Sequence, residues 1–296
     1  MNIATTPVPA PRAAGDPADP LAIPLPRWEK KGRIFCREGG LFFKSHAMRP
    51  IPHLLGDGRL RLFLSSRCAE DMMHPTYVDV DRHDPSKVLD VAEEPLMPIG
   101  RAGTFDDSGI TMASIVRHAG RTLVYYTGWK RRRVVSFELS IGVAELVDGH
   151  RRLERLFEGP ILGQDREHPI LTGGPFVVVD GDRLRMWYCS GTRWAATQHG
   201  PEPIYTVFHA ESTDGIEWRK TGGPLLAEAF AGEVITAPWV VRDGGGWLMW
   251  YSYRGSETQD AKRYRIGVAA SCDGVNWVRR EDRKSTRLNS SHANIS

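Results

Sequence analysis

A chain of 296 residues with a net charge of +3 is long enough for one large domain, and so mild a charge argues against nucleic acid or a membrane surface as its partner. It has no apolar run long enough to span a bilayer, and no basic start followed by an apolar stretch that would mark secretion. Its four cysteines, Cys36, Cys68, Cys189 and Cys272, have no metal-ligand spacing and are expected to be reduced thiols in a cytoplasmic protein, although the spacing alone leaves a disulfide open.

Residues 1–26 are rich in Ala and Pro, lack apolar periodicity and are expected to form a disordered lead. Trp28 to Phe43 begins the ordered part, as an outer strand or a closing segment. From there the chain repeats itself. The strings RLRLFL, RTLVYY, RLRMWY and GWLMWY place Leu64, Tyr126, Tyr188 and Tyr251 at steps of 62, 62 and 63 residues. Each string is read as the end of a second strand. First strands keep the step, at Pro52, Ser114, Pro175 and Pro238, and unit ends follow at Glu94-Pro95-Leu96, Gly159-Pro160-Ile161-Leu162 and Gly223-Pro224-Leu225-Leu226. In the third unit, turns at Asp180-Gly181-Asp182 and Asp214-Gly215 split the strands into antiparallel hairpins. Four strands per unit at a fixed period predict an all-β propeller over residues 27–281, with four blades in this chain.

Two units carry the pattern A-x-S-x-D-G-x-x-W, at Ala210 to Trp218 and Ala269 to Trp277. Asp-Gly supplies a tight turn with positive φ, and the Trp packs between blades, so both are structural. The period then stops. The string from Asp282 onward resembles the in-frame translation of a sequencing adapter, so residues 282–296 are expected to be non-native and the natural protein to continue with another unit.

Antiparallel alternation puts the tight turns on one side of the propeller. The links between units and the loops after the second strands fall on the other, where binding and catalysis are expected. Carboxylates beside exposed aromatic rings and arginines suit a sugar, and paired carboxyls suit glycosidic acid/base chemistry. The acid/base candidates are Asp106, Asp107 and Glu233. Neighbours in a strand face opposite ways, so at most one of Asp106 and Asp107 faces the funnel, and the other caps a turn. Glu233 is read as an acid or a surface charge. His46, Arg49, Trp129, Glu167, His168, Trp194 and Arg254 are candidate substrate contacts. For His46 a hydrogen-bonded structural role, and for Arg254 a structural ion pair, stands beside the functional one. No residue set has metal spacing and no phosphate-binding loop opens a helix, so neither a metal nor a cofactor is expected.

Gly103-Thr-Phe-Asp-Asp-Ser-Gly109, Tyr125-Tyr-Thr-Gly-Trp129, Ser140-Ile-Gly-Val-Ala144, Glu158-Gly-Pro-Ile-Leu162, Met249-Trp-Tyr-Ser-Tyr-Arg-Gly255 and Tyr264-Arg-Ile-Gly-Val-Ala269 resemble a bacterial family of glycosyl-hydrolase-like proteins. That family lies in the five-bladed propeller superfamily of arabinanases, β-xylosidases, invertases and levansucrases. The resemblance covers about residues 28 to 281. It implies five blades, a carbohydrate ligand, a cytoplasmic protein and an association with surface-polysaccharide metabolism. It also implies one acid on the inner strand of each of blades one, two and three. Here blade one has His46 where an Asp belongs, and blade two offers Asp106 or Asp107. Blade three has Thr172-Gly173-Gly174, with Glu167 upstream, and Glu233 falls in blade four. The standard acid set is not intact at matching positions. A glycosidase is therefore weighed against a non-catalytic glycan-binding propeller and against glycosyl transfer or phosphorolysis using Arg49, Lys130 and Arg254.

Overall fold

The repeating runs of Val, Tyr, Trp and Thr become strands because β-branched and aromatic side chains fill a pleated, half-buried surface. The computed structural model describes residues 19–280, apart from 27, 30–31, 38, 41, 198–199, 244 and 256–262. The first 18 residues and the adapter-like tail lie outside the described residues. Blade one holds β1 (Ser45–Leu54), β2 (Arg59–Arg67), β3 (Met73–Asp81) and β4 (Val88–Val91). Blade two holds β5 (Gly109–His118), β6 (Arg121–Arg131), β7 (Phe137–Val147) and β8 (Arg152–Arg155). Blade three holds β9 (Thr172–Asp180), β10 (Arg183–Thr197), β11 (Gly200–Ser212) and β12 (Arg219–Lys220). Blade four holds β13 (Val234–Asp243), β14 (Gly246–Arg254), β15 (Arg265–Ser271) and β16 (Val278–Arg280). Each blade is an antiparallel sheet in chain order, and β1, β5, β9 and β13 are the inner strands. The propeller expected from the period is the fold.

The second strands run past their aromatic ends, so Ser65–Arg67, Gly128–Lys130, Arg193–Trp194 and Tyr253–Arg254 are strand residues rather than loop residues. The reason is that β2, β6, β10 and β14 go on pairing with their third strands after leaving the blade body. In blade three the pairing continues from Arg193↔Ile204 to Thr197↔Gly200, beyond a register shift after Gly191.

Alternation along the strands gives every blade two buried faces. Phe63 and Tyr77 of blade one meet Val124, Tyr126 and Ala144 of blade two. Leu123, Tyr125, Ile141 and Val143 on the opposite face meet Val177, Leu184, Met186 and Tyr188 of blade three. Phe176, Trp187 and Val207 then meet Val240, Trp247, Met249 and Tyr251 of blade four. Burying each such large side chain contributes about 1.5–3 kcal/mol.

Apolar packing does not fix orientation; directed hydrogen bonds do. The Tyr125 hydroxyl donates to Gly215 O of the next blade at 2.9 Å, and Trp187 Nε1 donates to Gly274 O of the next at 2.9 Å. Both carbonyls belong to the Asp-Gly turns. Each turn is braced from within: Asp214 Oδ1 accepts from Ile216 N and Glu217 N, and Ser212 Oγ accepts from Gly215 N at 2.8 Å. Ser271 and Asp273 repeat this bracing in blade four. Gly215 has φ 79°, and a Cβ there would meet the Tyr125 hydroxyl at 2.6 Å. Nearer the axis, Ser65 Oγ accepts from Met112 N of the next blade at 3.0 Å, and Thr127 Oγ1 accepts from Gly174 N at 2.8 Å.

In the repeat, Trp250 and Ser252 of blade four stand where Trp187 and Cys189 stand in blade three. The face they occupy is met by the chain's own N-terminal stretch. Ile23 packs with Leu248, Ala270, Leu25 and Trp250, and Trp28 meets Trp250 edge-on at 5.8 Å. Arg280 Nη1 donates to Pro20 O and Ile23 O. The same stretch goes on to blade one, where Phe35 packs against Leu62, Leu64, Val78 and Val80.

Two tyrosines separate directed bonding from packing. Tyr125→Phe removes the bond to Gly215 and should lower the unfolding free energy by about 1–2 kcal/mol. Tyr188 is as deeply buried, but its hydroxyl has no partner among the described residues. Tyr188→Phe should therefore be neutral or stabilising. Urea denaturation of the two variants against the parent checks both outcomes.

Candidate functional site

Each inner strand kinks beside the axis, and β1 also slips between Ser45 and Met48. The pairing slips after Met48 in β1, after Met112 in β5, after Gly173 in β9 and after Thr236 in β13. The kinks bring Arg49 (φ 54°), Gly174 (φ 61°) and Ala237 (φ 52°) into left-handed conformation, with Ala113 at the matching place in blade two. A bulge leaves a residue unpaired and re-aims its side chain. In blades one, three and four the next residue is proline, which has no N–H to leave unbonded. Left-handed Arg and Ala store backbone strain of about 1–3 kcal/mol each.

Arg49 leaves β1 and reaches past blade two to blade three. A Cβ at Gly174 would lie 3.2 Å from Arg49 Nη1 and 3.4 Å from Cys189 Sγ, so Gly174 is the space the guanidinium uses. Cys189 is buried, and its Sγ lies 3.5 Å from Thr236 Oγ1. Burial pushes this thiol up, opposed by the Thr236 hydroxyl and by Arg49. No disulfide joins any of the four cysteines, all of which lie among the described residues.

Toward the loop-bearing end, Tyr205 and Tyr264 share a 2.9 Å hydroxyl contact. Arg254 Nη2 donates to Glu202 Oε2 at 3.1 Å, and its guanidinium lies 5.5 Å from the Tyr264 ring centre. Burial holds the Tyr205 phenol well above 10, with Tyr264 adding and Arg254 opposing. Burial alone would lower Arg254, but Tyr264, Tyr205 and Glu202 outweigh it and keep the group charged. A cation, two phenols, a carboxylate and a thiol thus stand between blades three and four, with Arg49 entering from blade one.

The acids read from the sequence lie elsewhere. Asp106 is fully buried. Arg155 Nε donates to its Oδ2 at 2.9 Å, the Tyr126 hydroxyl donates to the same oxygen at 3.2 Å, and Thr104 Oγ1 donates to Oδ1 at 3.1 Å. Glu233 is 1% exposed. Arg279 holds both its oxygens, at 3.0 and 2.7 Å, and also donates to the Tyr251 hydroxyl at 3.2 Å. In blade three Lys220 pairs with Asp165, an exposed acid, and the Tyr188 hydroxyl takes no part. In each case an acid in the incoming link is latched to a cation on the outermost strand. Asp107 is half-buried, and its oxygens take Gly103 N at 2.9 Å and the Ser108 hydroxyl at 2.7 Å.

The other candidates scatter. His46 has φ 68° and places Nδ1 2.8 Å from Ser45 Oγ. Burial and nearby Arg67 lower its pKa, and Asp71 opposes them. Trp129 donates from Nε1 to Thr111 Oγ1 at 2.9 Å. Trp194 lies on the projecting β10–β11 hairpin, opposite Pro203. Glu167 is exposed beside Arg166. His168 is buried, with Nδ1 2.7 Å from Lys220 Nζ. An ammonium only donates, so Nδ1 accepts and the ring is neutral. Of the candidates, only Arg49 and Arg254 are brought to one place. Tyr205, Tyr264, Glu202 and Cys189 join them there without having been singled out in the sequence. The latch cations did leave a signal: Arg155, Lys220 and Arg279 each follow Leu153, Trp218 or Trp277 by two residues. Among the described residues no cluster could hold a metal ion, and no helix is long and apolar enough to cross a membrane.

The latches give two expected outcomes. Arg279→Met alone strands the buried Glu233 carboxylate and should cost about 3–5 kcal/mol, Glu233→Gln should cost less because Arg279 is half-buried, and Glu233→Leu with Arg279→Met should recover most of the loss. A double-mutant cycle by denaturant unfolding measures this. The second outcome concerns pH. Burial, with Lys220 adding, lowers the His168 pKa from 6.5, and burial, with Arg185 adding, lowers that of His209 to about 3. The unfolded chain takes up these protons first. The stability they contribute is therefore complete above pH 6.5 and falls below it, by up to about 1.4 kcal/mol per pH unit for each ring. Unfolding midpoints between pH 7.5 and 5 should show this fall, with a shallower slope in His168→Gln.

No family model matches the chain. It is 34% identical over 253 residues to Uncharacterized protein Rv1502 of Mycobacterium tuberculosis, a match covering 84% of this chain and 81% of the relative. Among solved structures, a glycoside hydrolase superposes with a TM-score of 0.63 at 18% identity, over 79% of this chain and 73% of that one. A thermostable family-43 glycoside hydrolase gives 0.59 at 16%, over 81% and 77%. An alpha-L-arabinofuranosidase from Lactobacillus brevis gives 0.59 at 13%, over 79% and 72%. At such identities the likeness is one of fold: the five-bladed propeller of glycoside hydrolases, with four blades described here. On its sequence identity and coverage, the chain belongs to the family of the Mycobacterium tuberculosis protein Rv1502.

Proposed function

We propose that this propeller binds a glycan at the loop-bearing end of its axis and does not cleave it. The observation that carries this reading is the commitment of Asp106 and Glu233 to Arg155 and Arg279. Glycoside hydrolysis needs one carboxyl to give a proton and a second to take one or attack, both facing the same bond. A carboxylate closed in by a guanidinium and buried beneath a tyrosine does neither. Of the three acid/base candidates this leaves Asp107, and one acid is half of the pair.

A carbohydrate ligand is supported by the chemistry of the loop end. Half-buried Trp129 and Trp194 offer ring faces for the C–H side of a sugar. Arg254, Glu202, Tyr205 and Tyr264 offer donors and acceptors for its hydroxyls. The shared fold, which carries glycoside hydrolases among its solved members, points the same way. Asp107 favours the rival reading, a hydrolase working with a single protein carboxylate.

Calorimetry against a panel of neutral and acidic oligosaccharides, with product analysis of the same mixtures, separates the two. The expected result is saccharide binding without product. Trp194→Ala should weaken that binding about tenfold, the loss of one stacking contact of about 1.4 kcal/mol, and Asp107→Asn should leave it unchanged. Released sugar that disappears in Asp107→Asn would establish the hydrolase instead.

A further inference from the structure

Arg49 is set apart from the other arginines of the interior. Arg61 lies on Asp79, Arg155 on Asp106, Arg185 on Asp180, Arg254 on Glu202 and Arg279 on Glu233. Among the described residues, Arg49 takes no hydrogen bond and no ion pair. The side chain is half-buried, and that burial lowers its pKa, with the Cys189 thiol opposing. A cation partly withdrawn from water without a partner carries a cost. The chain adds to that cost by bending β1 into left-handed backbone at Arg49 and by withholding a side chain at Gly174. Beside it opens a cavity of about 380 Å³, lined by Arg49, Ala113, Ala237, Trp239, Tyr251 and Ser252. That is room for a monosaccharide-sized group, with aromatic rings on the blade-four side and the guanidinium on the blade-one side.

We propose that Arg49 is the axial receptor for an anionic group on the ligand, a carboxylate or a phosphate carried by a saccharide. A planar guanidinium takes either anion through two parallel N–H donors. The anion would supply the partner that the protein withholds, and Ser252 lines the same cavity, where its hydroxyl can serve the attached sugar. This inference rests on the reading of the axis as a glycan site and narrows that reading to acidic or phosphorylated saccharides.

The test uses the 296-residue chain, its Arg49→Met and Arg49→Lys variants, and four probes: glucose, glucuronate, glucose 1-phosphate and inorganic phosphate. Thermal unfolding and calorimetry are read for each. Glucuronate or glucose 1-phosphate should bind the parent at least tenfold tighter than glucose, and which of the two does so identifies the anion. Arg49→Met should lose that preference and should melt, without ligand, at the same temperature as the parent or higher, because it removes a half-buried charge that makes no ion pair. Arg49→Lys should keep part of the preference. Equal anion binding by the parent and Arg49→Met overturns the proposal. So does a sharp fall in the ligand-free melting temperature of Arg49→Met, which would mark Arg49 as structural. Neutral sugars binding without regard to Arg49, while anions do not bind, would sink this inference and leave the glycan reading standing. Inorganic phosphate binding through Arg49, with no saccharide bound, would do the reverse.

Discussion

A side-chain donor that reaches from one blade to a backbone carbonyl of the next sets the geometry on which the rest of this molecule depends. Sheets packed only by Val, Tyr and Trp could slide or rotate with little change in buried area, because the hydrophobic effect has no direction. Tyr125 on Gly215 and Trp187 on Gly274 remove that freedom. They act at the rim, where the Asp-Gly turn is braced by its own Ser and Asp. Ser65 and Thr127 act near the axis, taking the amides of Met112 and Gly174. With a bond at each end, neighbouring blades keep one angle, and that angle decides which side chains can meet at the centre.

The repeat was legible in the sequence because its marks are short-range. An aromatic string every 62 or 63 residues and an Asp-Gly before a Trp both follow from the needs of a pleated strand and a tight turn. The extent of the second strands was not legible. Whether Trp129 or Trp194 belongs to a loop or to a continuing ladder depends on what the partner strand does. In blade three the partner continues to Gly200. The direction in which the acids turn was not legible for a related reason. A carboxylate at a strand entrance can face the funnel or turn outward to the last strand of its own blade, and its residue type serves either. Asp106 and Glu233 turn outward because Arg155 and Arg279 await them under Tyr126 and Tyr251. Pairing each acid with the cation two residues past the Leu or Trp would have exposed this arrangement. The central group was beyond such reasoning: Arg49 and Cys189 are 140 positions apart and meet because a bulge and a glycine allow it.

The interior therefore treats charge in two ways. At the latches, cation and anion are closed against each other, and removal of either leaves the other stranded. At the axis, Arg254 keeps Glu202, whereas Arg49 is left alone amid strained backbone. Sites that bind commonly carry local costs which the surrounding scaffold overcomes. Here the scaffold is the set of three inter-blade interfaces, each buried and each oriented by hydrogen bonds.

The inter-blade donors Tyr125 and Trp187 point the same way along the chain, each from its blade to the successor. The stack consequently has a polarity, with a giving end and a receiving end, as in a head-to-tail polymer rather than a two-fold pair. Complementary ends on one molecule are what convert a closed particle into a fibre when nothing covers them. The stretch from Pro20 to Phe35 touches both ends, resting Ile23 and Trp28 on blade four and Phe35 on blade one. In repeat proteins that task falls to terminal caps. Here a short, proline-bearing segment makes contacts with both the first and the fourth blade.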